Sequence, residues 1–270
     1  MNTRKRKLVD HAGDGSLTSS LLDKKEQTKK VKTNDEKSSK LVESSVSQVS
    51  LVNDNKRLGF EFYDKSCLDL SQSLLGKILV RRFDDDTKVR TRIVEVEAYL
   101  GGNDSASHSF NDKRTDRTEA MFMPASTAYV YNIYGIYCCL NISAKEPGAA
   151  VLIRAVEAIE EFDVLKKNRN LFEKKSINIK KDLTSGPSKL CQALNISKVL
   201  FDRKSLCSSN SIWLENDEND CKFEIVASKR INIDYAGEEA CNKLYRFYIK
   251  NNPFVSIIDK NPTVLSAEAI

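Results

Sequence analysis

The sequence predicts a mixed α/β fold of the α+β kind, in which a single domain combines a mostly antiparallel sheet, surrounding helices and a protruding β-hairpin. Three observations predict it. Residues 90–99 alternate between two strand faces, residues 127–141 form a tyrosine-rich hairpin around Gly135, and residues 184–194 begin a helix at Gly186 and Pro187. The sequence contains no Gly-rich nucleotide-binding loop and no internal repeat.

The composition indicates a folded part and a polar tail within a chain of 270 residues. Hydrophobic residues make up 40% and charged residues 30%, and the net charge of +5 permits a nucleic-acid partner without requiring one. No apolar run has the length of a membrane span, and the first residues lack the charged and then apolar pattern of a signal peptide, so we expect neither feature. The odd number of scattered cysteines, seven in all, predicts a reducing, intracellular compartment. Because none of them forms a Cys-x-x-Cys pair and there are only two histidines, we expect no metal site.

Residues 1–56 are predicted to be a disordered basic tail, because they contain no aromatic residue and are rich in lysine and serine. Two basic clusters, at 4–7 and 24–32, resemble a two-part nuclear-import signal, although a merely solvated tail is an equally good interpretation. We expect the folded domain to span residues 57–262 and a flexible C-terminus to follow at 263–270.

The first half of the predicted domain begins with a short helix capped by Ser66, with Leu70 and Leu74 on its buried face and Gly76 at its end. A strand is predicted at 77–83, a turn at 84–87 and a second strand at 90–99. One face of that second strand carries Thr91, Ile93, Glu95, Glu97 and Tyr99.

The second half begins with a polar loop at 101–118 that contains His108 and is followed by the hairpin. An apolar strand at 149–155 carries Arg154 near its end. A helix is predicted at 157–167, a basic, partly mobile loop at 166–181, the Gly186–Pro187 helix start, and strands at 222–225, 230–233 and 246–249.

The tip of the hairpin holds Tyr134 and Gly135, while Tyr129 and Tyr131 share a face of its first arm. An ordinary interpretation is a core hairpin whose tip tyrosine is covered by a neighbouring loop. The alternative is that Tyr134 is exposed and inserts into a partner, because a large exposed aromatic residue otherwise harms solubility.

Several features point to chemistry on a nucleobase. Arg154, within an apolar strand, needs a charged partner, and Glu97 is the candidate. Enzymes that act on a base within duplex DNA rotate it out, fill the gap and stack the base on aromatic rings. Tyr134 is suited to fill the gap, and Tyr99 and Tyr131 are suited to stack on the base.

Seven segments in the same order resemble the alkyladenine (3-methyladenine) DNA glycosylases. The resemblance covers roughly residues 57–260, and the segments are 92–101, 121–123, 129–137, 140–142, 151–155, 183–194 and 244–248. The longest include Tyr-Val-Tyr-Asn-Ile-Tyr-Gly-Ile-Tyr and Leu-Thr-Ser-Gly-Pro-Ser-Lys-Leu-Cys-Gln-Ala-Leu. The resemblance implies a curved sheet and a hairpin that inserts into DNA.

The resemblance also implies how the bond to the base is hydrolysed. Glu97 would be the general base that activates a water molecule and favours an oxocarbenium-like transition state. Arg154 would hold that water and keep Glu97 ionised, and the backbone carbonyl of Ile231 would be the third ligand of the water.

Four further residues are implied to bind the flipped base. Tyr99 would stack on one face, and His108 and Tyr131 on the other. The backbone N–H of His108 would read the base edge, and its ring would reach a phosphate. Asn141 would exclude normal guanine by crowding its amino group.

DNA contacts are implied for the hairpin and for one helix start. Tyr134 would enter the minor groove beside Ile136, and Ser188 and Lys189 would hold the DNA backbone.

The activity implied is base-excision repair: release of 3-methyladenine, 7-methylguanine, ethenoadenine or hypoxanthine by a monofunctional hydrolase, leaving an abasic site. No cofactor is implied. We expect a nuclear monomer whose partners are double-stranded DNA with a damaged purine and the enzymes that process abasic sites, with no membrane partner.

The sequence departs from the family pattern at a few positions. Asn232 stands where the family usually has glycine, Thr118 and Glu119 replace part of an Arg-Asn pattern, and an aromatic residue common near Glu239 is absent. Two other functions are kept open. One is a minor-groove lesion-binding protein without catalysis, and the other is an RNA-binding sheet that uses the tyrosines for stacking.

Overall fold

The computed structural model describes residues 56–172, 176–219 and 222–265. All of these residues fall in one compact unit. The predicted basic tail, except for Lys56, lies outside the described residues, as does Cys221.

An open antiparallel sheet forms the centre of the molecule. Its main path within the described residues runs in the order β3-β4-β5-β2-β8-β7-β9, and β1 joins β6 to β2. Every strand pairing there is antiparallel, which agrees with the predicted fold class. The strands are β1 Ile78–Arg82, β2 Lys88–Tyr99, β3 Ala128–Ile133, β4 Tyr137–Ser143, β5 Ala150–Ala158, β6 Ile212–Glu215, β7 Ile225–Ser228, β8 Arg246–Ile249 and β9 Thr263–Val264.

Short helices surround this sheet. They are α1 Phe60–Tyr63, α2 Cys67–Leu74, α3 Phe162–Asn168, α4 Ile179–Asp182, α5 Pro187–Ala193, α6 Lys198–Phe201 and α7 Glu238–Asn242. Helix α2 begins as predicted: the Ser66 side chain accepts a hydrogen bond from the N–H of Asp69, and Leu70 and Leu74 are buried. Gly76 follows the helix at φ +80°, and a Cβ there would lie 2.6 Å from the Phe223 ring, so both conformation and space require glycine.

Strand β2 is the longest strand and lies between β5 and β8. Its register with β5 shifts on both sides of Glu95, which pairs with Ala155, while Val96 pairs with Ile153. Arg154 therefore has no direct partner across the ladder, and its side chain reaches both Glu95 and Glu97.

The predicted hairpin is formed by β3 and β4, whose pairing ends at Ile133 and Tyr137. The turn between them contains Tyr134 at φ 50° and Gly135 at φ 76°. Tyr134 is 89% exposed, so the interpretation in which a loop covers the tip is wrong.

The predicted bounds differ from the structure at three places. The helix predicted at 157–167 begins only at Phe162, because β5 continues to Ala158 and Glu157 pairs with Arg92 of β2. The basic loop predicted at 166–181 starts inside α3 and ends inside α4. The sheet also extends past residue 262, into β9.

The C-terminal strands also need correction. The strand predicted at 222–225 is β7, which starts at Ile225, and the strand predicted at 230–233 is absent. The latter is a loop because Arg230 turns inward to pair with Asp104 and Asn232 takes φ 58°, which is incompatible with a continuous strand. In the described part of the chain, no helix is both long and apolar enough to span a membrane.

Candidate active site

Glu97 is completely buried and is held by three donors. The Tyr99 hydroxyl donates to Oε2 over 2.8 Å, and the N–H of Ile231 donates to Oε1 over 2.7 Å. Nη1 of Arg154 lies 3.1 Å from Oε2. These donors compensate for the loss of hydration that burial imposes on a carboxylate, so the site can retain a charge beside apolar strands.

Arg154 lies between two glutamates, since its Nε also donates to Oε1 of Glu95 over 3.2 Å. Burial by itself would lower the pKa of Arg154, but Glu97 and Glu95 outweigh this effect and raise it. Glu95 in turn accepts from Arg246 over 2.9 Å and from the N–H of Ser256 over 2.7 Å. Glu95, to which the sequence analysis gave no role, therefore holds Arg154 through Nε, while Glu97 holds it through Nη1.

A cavity lies beside Tyr99 and is lined largely by aromatic residues. It contains the four predicted base-binding residues together with five others: Tyr99, Ala106, His108, Met121, Tyr129, Tyr131, Asn141, Ala150 and Tyr235. The ring centroids of His108 and Tyr131 are 4.8 Å apart, and those of Tyr129 and Tyr131 are 5.2 Å apart. The structure thus brings the predicted base-binding set together on one cavity, and Tyr99 links that cavity to Glu97.

Both ring nitrogens of His108 have partners. Nδ1 lies 2.9 Å from the Tyr129 hydroxyl, and Nε2 lies 3.1 Å from Nη2 of Arg117. Because arginine can only donate, Nε2 must accept, and we assign the proton to Nδ1. The predicted phosphate contact through this ring would first have to break one of these bonds.

We expect His108 to remain neutral down to about pH 4, because burial and then Arg117 lower its pKa from 6.5 to about 4. Because folding lowers this pKa, neutral His108 contributes fully to the free energy of unfolding above pH 6.5. That contribution is lost as the pH falls toward 4. Histidine NMR titration measures this directly, and His108→Gln assigns the signal because the chain has only two histidines. A His108 signal that titrates near 6.5 would contradict the assignment.

Asn141 lies on β4 and is buried at the wall of the same cavity. Its Nδ2 donates to the backbone oxygen of Tyr129 over 3.0 Å, which fixes the orientation of the amide. A fixed polar group in a tight cavity can discriminate between bases by their edge substituents.

The hairpin tip presents two exposed apolar side chains, Tyr134 at 89% and Ile136 at 76% exposure. Tyr131, three residues before Tyr134, lines the cavity. One element therefore carries both a wall of the cavity and a protruding ring.

Helix α5 begins as predicted, with Pro187 in its first turn and Gly186 before it at φ 146°. Ser188 and Lys189 follow in the first turn, and Nζ of Lys189 donates to the backbone oxygen of Lys181. Ala155, next to Arg154, bridges to Ser185, so this helix start lies beside the middle of β5, close to Arg154 in the chain.

The departures from the family pattern are accommodated locally. Asn232 has φ 58°, a left-handed conformation that asparagine tolerates better than any β-branched residue. The Ile231 N–H is therefore presented to Glu97 although glycine is missing at the next position. Thr118 is buried and donates to the backbone oxygen of Lys113, and Glu119 pairs with Arg114.

Asn232→Val should lower the free energy of unfolding by about 1–2 kcal/mol, because valine is strained at this positive φ. Asn232→Gly should be tolerated, since glycine adopts the same conformation freely. Urea unfolding of both variants is the measurement. Equal stability of the valine variant and the natural chain would show that the backbone at 232 is not held in this conformation.

The sequence analysis also gave no role in the site to Tyr235 or to Arg117. Tyr235 lines the cavity and donates from its hydroxyl to the backbone oxygen of Ala106 over 3.1 Å. Arg117 lies over the Tyr131 ring at 5.3 Å. Neither lies on a regular strand, so no periodic pattern could have indicated them.

Comparison with known proteins gives a consistent result. The model of the methylpurine-DNA glycosylase family matches residues 61–253. DNA-3-methyladenine glycosylase from Mus musculus is 45% identical over 209 residues, which is 76% of this chain and 62% of the mouse protein. The Homo sapiens protein of that name is 44% identical over 208 residues, covering 76% and 69% of the two chains.

A bacterial relative is matched over nearly its whole length. Putative 3-methyladenine DNA glycosylase from Clostridium novyi (strain NT) is 48% identical over 205 residues, 74% of this chain and 98% of the relative. The chain thus spans less than two thirds of the mouse relative but almost all of the bacterial one.

Proposed function

Because this chain belongs to the methylpurine-DNA glycosylase family, we propose that it hydrolyses the N-glycosidic bond of a damaged purine in duplex DNA. The products are the free base and an abasic site, as in the first step of base-excision repair. The proposal rests on the surroundings of Glu97. This buried carboxylate is held by three donors, and one of them, Tyr99, lines the adjacent aromatic cavity.

In the proposed reaction Glu97 accepts a proton from a water molecule while the water oxygen forms a bond to C1′ of the deoxyribose. The bond from C1′ to the purine nitrogen breaks, and the base leaves with its electron pair. The sugar becomes positively charged in the transition state, and the carboxylate of Glu97 stabilises that charge. Arg154 and the carbonyl of Ile231 complete the proposed water site.

The cavity is proposed to hold the flipped purine between Tyr99 on one face and His108 and Tyr131 on the other. Alkylation gives a purine a positive charge or an electron-poor ring, and such rings stack favourably on tyrosine. Asn141 is proposed to exclude guanine. The positive charge of 3-methyladenine and 7-methylguanine supports these two bases as substrates. Ethenoadenine and hypoxanthine are proposed with them because neither carries the amino group of guanine that Asn141 would crowd.

Tyr134 and Ile136 are proposed to enter the minor groove and fill the space that the flipped base leaves. Their exposure on a hairpin tip supports this role. Ser188 and Lys189, at the start of α5, are proposed to contact phosphate groups. The residues that line the cavity within the described part of the chain include no lysine, so we propose no Schiff-base step.

The experiment that tests this function is incubation with duplexes that each contain one of the four lesions, followed by chromatography of the released base and by alkaline cleavage at abasic sites. We expect free base from at least one lesion and none from the undamaged duplex. Lesion-selective binding without release would favour the lesion-binding alternative. Stronger competition by single-stranded RNA than by duplex DNA would favour the RNA-binding alternative.

We further propose that the protein acts as a monomer in the nucleus and hands its product to enzymes that process abasic sites. The basic clusters at 4–7 and 24–32, which lie outside the described residues, support the nuclear location. A fluorescent fusion with and without residues 1–55 tests it: a uniform distribution of both fusions would contradict the proposal.

A further inference from the structure

A buried ion pair lies next to the candidate site, between Asp104 of the loop after β2 and Arg230 of the loop after β7. The Arg230 side chain is fully buried and donates from Nη1 to Oδ2 of Asp104 over 2.6 Å and from Nη2 to Oδ1 over 2.8 Å. Nη1 also donates to the backbone oxygen of Ala98, between Glu97 and Tyr99, over 2.9 Å. The guanidinium is thus fixed in a two-pronged arrangement that lysine cannot reproduce.

The same guanidinium lies between two tyrosine rings. Its Cζ is 4.9 Å from the centroid of Tyr99 and 5.3 Å from that of Tyr245. Tyr99 is at once a wall of the base cavity and a donor to Glu97. Arg230 therefore supports the ring on which the base is proposed to stack.

Each partner also holds a neighbouring part of the site. Asp104 accepts from the N–H groups of Leu100 over 3.0 Å and Ala106 over 3.2 Å, and Ala106 lines the cavity two residues before His108. Arg230 directly precedes Ile231, whose N–H donates to Glu97. One ion pair thus connects the Tyr99 wall, the His108 loop and a donor to the catalytic carboxylate.

We propose that Asp104 and Arg230 are positioning residues for base excision, which set the geometry of Tyr99, the His108 loop and the Ile231 N–H without touching the substrate. This inference rests on the proposed glycosylase function. A buried ion pair is weak evidence for added stability, because well-packed apolar residues often replace one at little cost. The role of this pair is instead to position the Tyr99 ring, the His108 loop and the Ile231 N–H, because all three are connected to it.

The test compares Asp104→Asn and Arg230→Lys with a matched control, Arg92→Lys. Arg92 binds Asp217 and Glu157 through Nε, Nη1 and Nη2, and neither carboxylate lines the cavity. The measurements are the single-turnover rate of ethenoadenine excision at saturating protein, the Kd for the lesion duplex and the Tm. We expect the rate to fall about 10- to 100-fold in both site variants, by more than the affinity for the lesion duplex falls, with the control at the wild-type rate and Kd.

The two site variants should not be additive, because each already removes the geometry that the pair creates. The double variant should therefore lose little more rate than either single variant. Full additivity, or a loss of rate that follows Tm equally in the site and control variants, would overturn the proposal.

A crystal structure of Asp104→Asn gives a readout that does not depend on activity. We expect the Tyr99 hydroxyl to move out of hydrogen-bond distance of Glu97, whereas unmoved Tyr99 and Ile231 would overturn the proposal. A wild-type chain that releases no base would contradict the proposed function instead, and this outcome is recognised before any variant is compared.

Discussion

Glu97→Gln should lower the single-turnover rate of base excision by about 100- to 10,000-fold, the range expected for loss of a general base. Glutamine keeps the shape of the side chain but cannot take a proton from water, and it removes the negative charge that favours the transition state. The amide nitrogen of glutamine only donates, so it removes the acceptor either of the Ile231 N–H, which contacts Oε1, or of both Tyr99 and Arg154, which contact Oε2. The Kd for the lesion duplex should remain close to the wild-type value, since Glu97 does not line the cavity.

Glu215→Gln is the matched control for this prediction. Glu215 is a buried glutamate on β6 that pairs with Arg90 and accepts from the Trp213 indole, and it lies outside the cavity. It should lose stability but keep the wild-type rate. Equal rate losses in the two variants, measured at a temperature well below both Tm values, would show that Glu97 acts through stability alone.

Tyr134→Ala should weaken excision and lesion-duplex binding by about 10- to 100-fold, because stacking of an aromatic ring on a base is worth roughly 1–3 kcal/mol. The Tm should not change, since the ring is 89% exposed and packs little in the free protein. Fluorescence anisotropy with lesion and undamaged duplexes measures binding, and single-turnover kinetics measures excision. Tyr134→Phe should retain most of both, because the ring rather than the hydroxyl fills the gap.

Phe172→Ala controls for loss of an exposed aromatic residue elsewhere on the surface. Phe172 is 60% exposed and follows α3, so it belongs neither to the hairpin strands nor to the turn between them. It should bind both duplexes like the wild type. If Tyr134→Ala binds and excises as well as Phe172→Ala, the hairpin tip does not take part in recognition.

Part of the site could be predicted from the sequence because strand alternation is a local property. The alternation of β2 places Glu95, Glu97 and Tyr99 on one side, and the apolar surroundings of Arg154 demand a carboxylate partner. The hairpin turn at Tyr134 and Gly135 was also predicted, although its sequence left open whether a loop covers Tyr134, and the structure shows the ring exposed. In each case the residues that determine the local structure or the contact are close in sequence or lie on adjacent strands.

The segment around Ile231 could not be predicted in this way. Its alternating apolar residues indicate a strand, but Arg230 is held by Asp104, 126 positions away, and Asn232 takes a left-handed conformation. Tyr235, beyond it, reaches the cavity only because this loop folds back on the loop that carries Ala106. Such contacts join segments that are far apart in the sequence, so no local sequence pattern predicts them.

A crystal structure of Glu97→Gln bound to a duplex with one ethenoadenine tests the central claim most directly. The account predicts ethenoadenine outside the helix, between Tyr99 and the rings of His108 and Tyr131, with Tyr134 in the vacated position. A complex in which the lesion stays stacked in the duplex, and Tyr134 remains outside the groove, would contradict it.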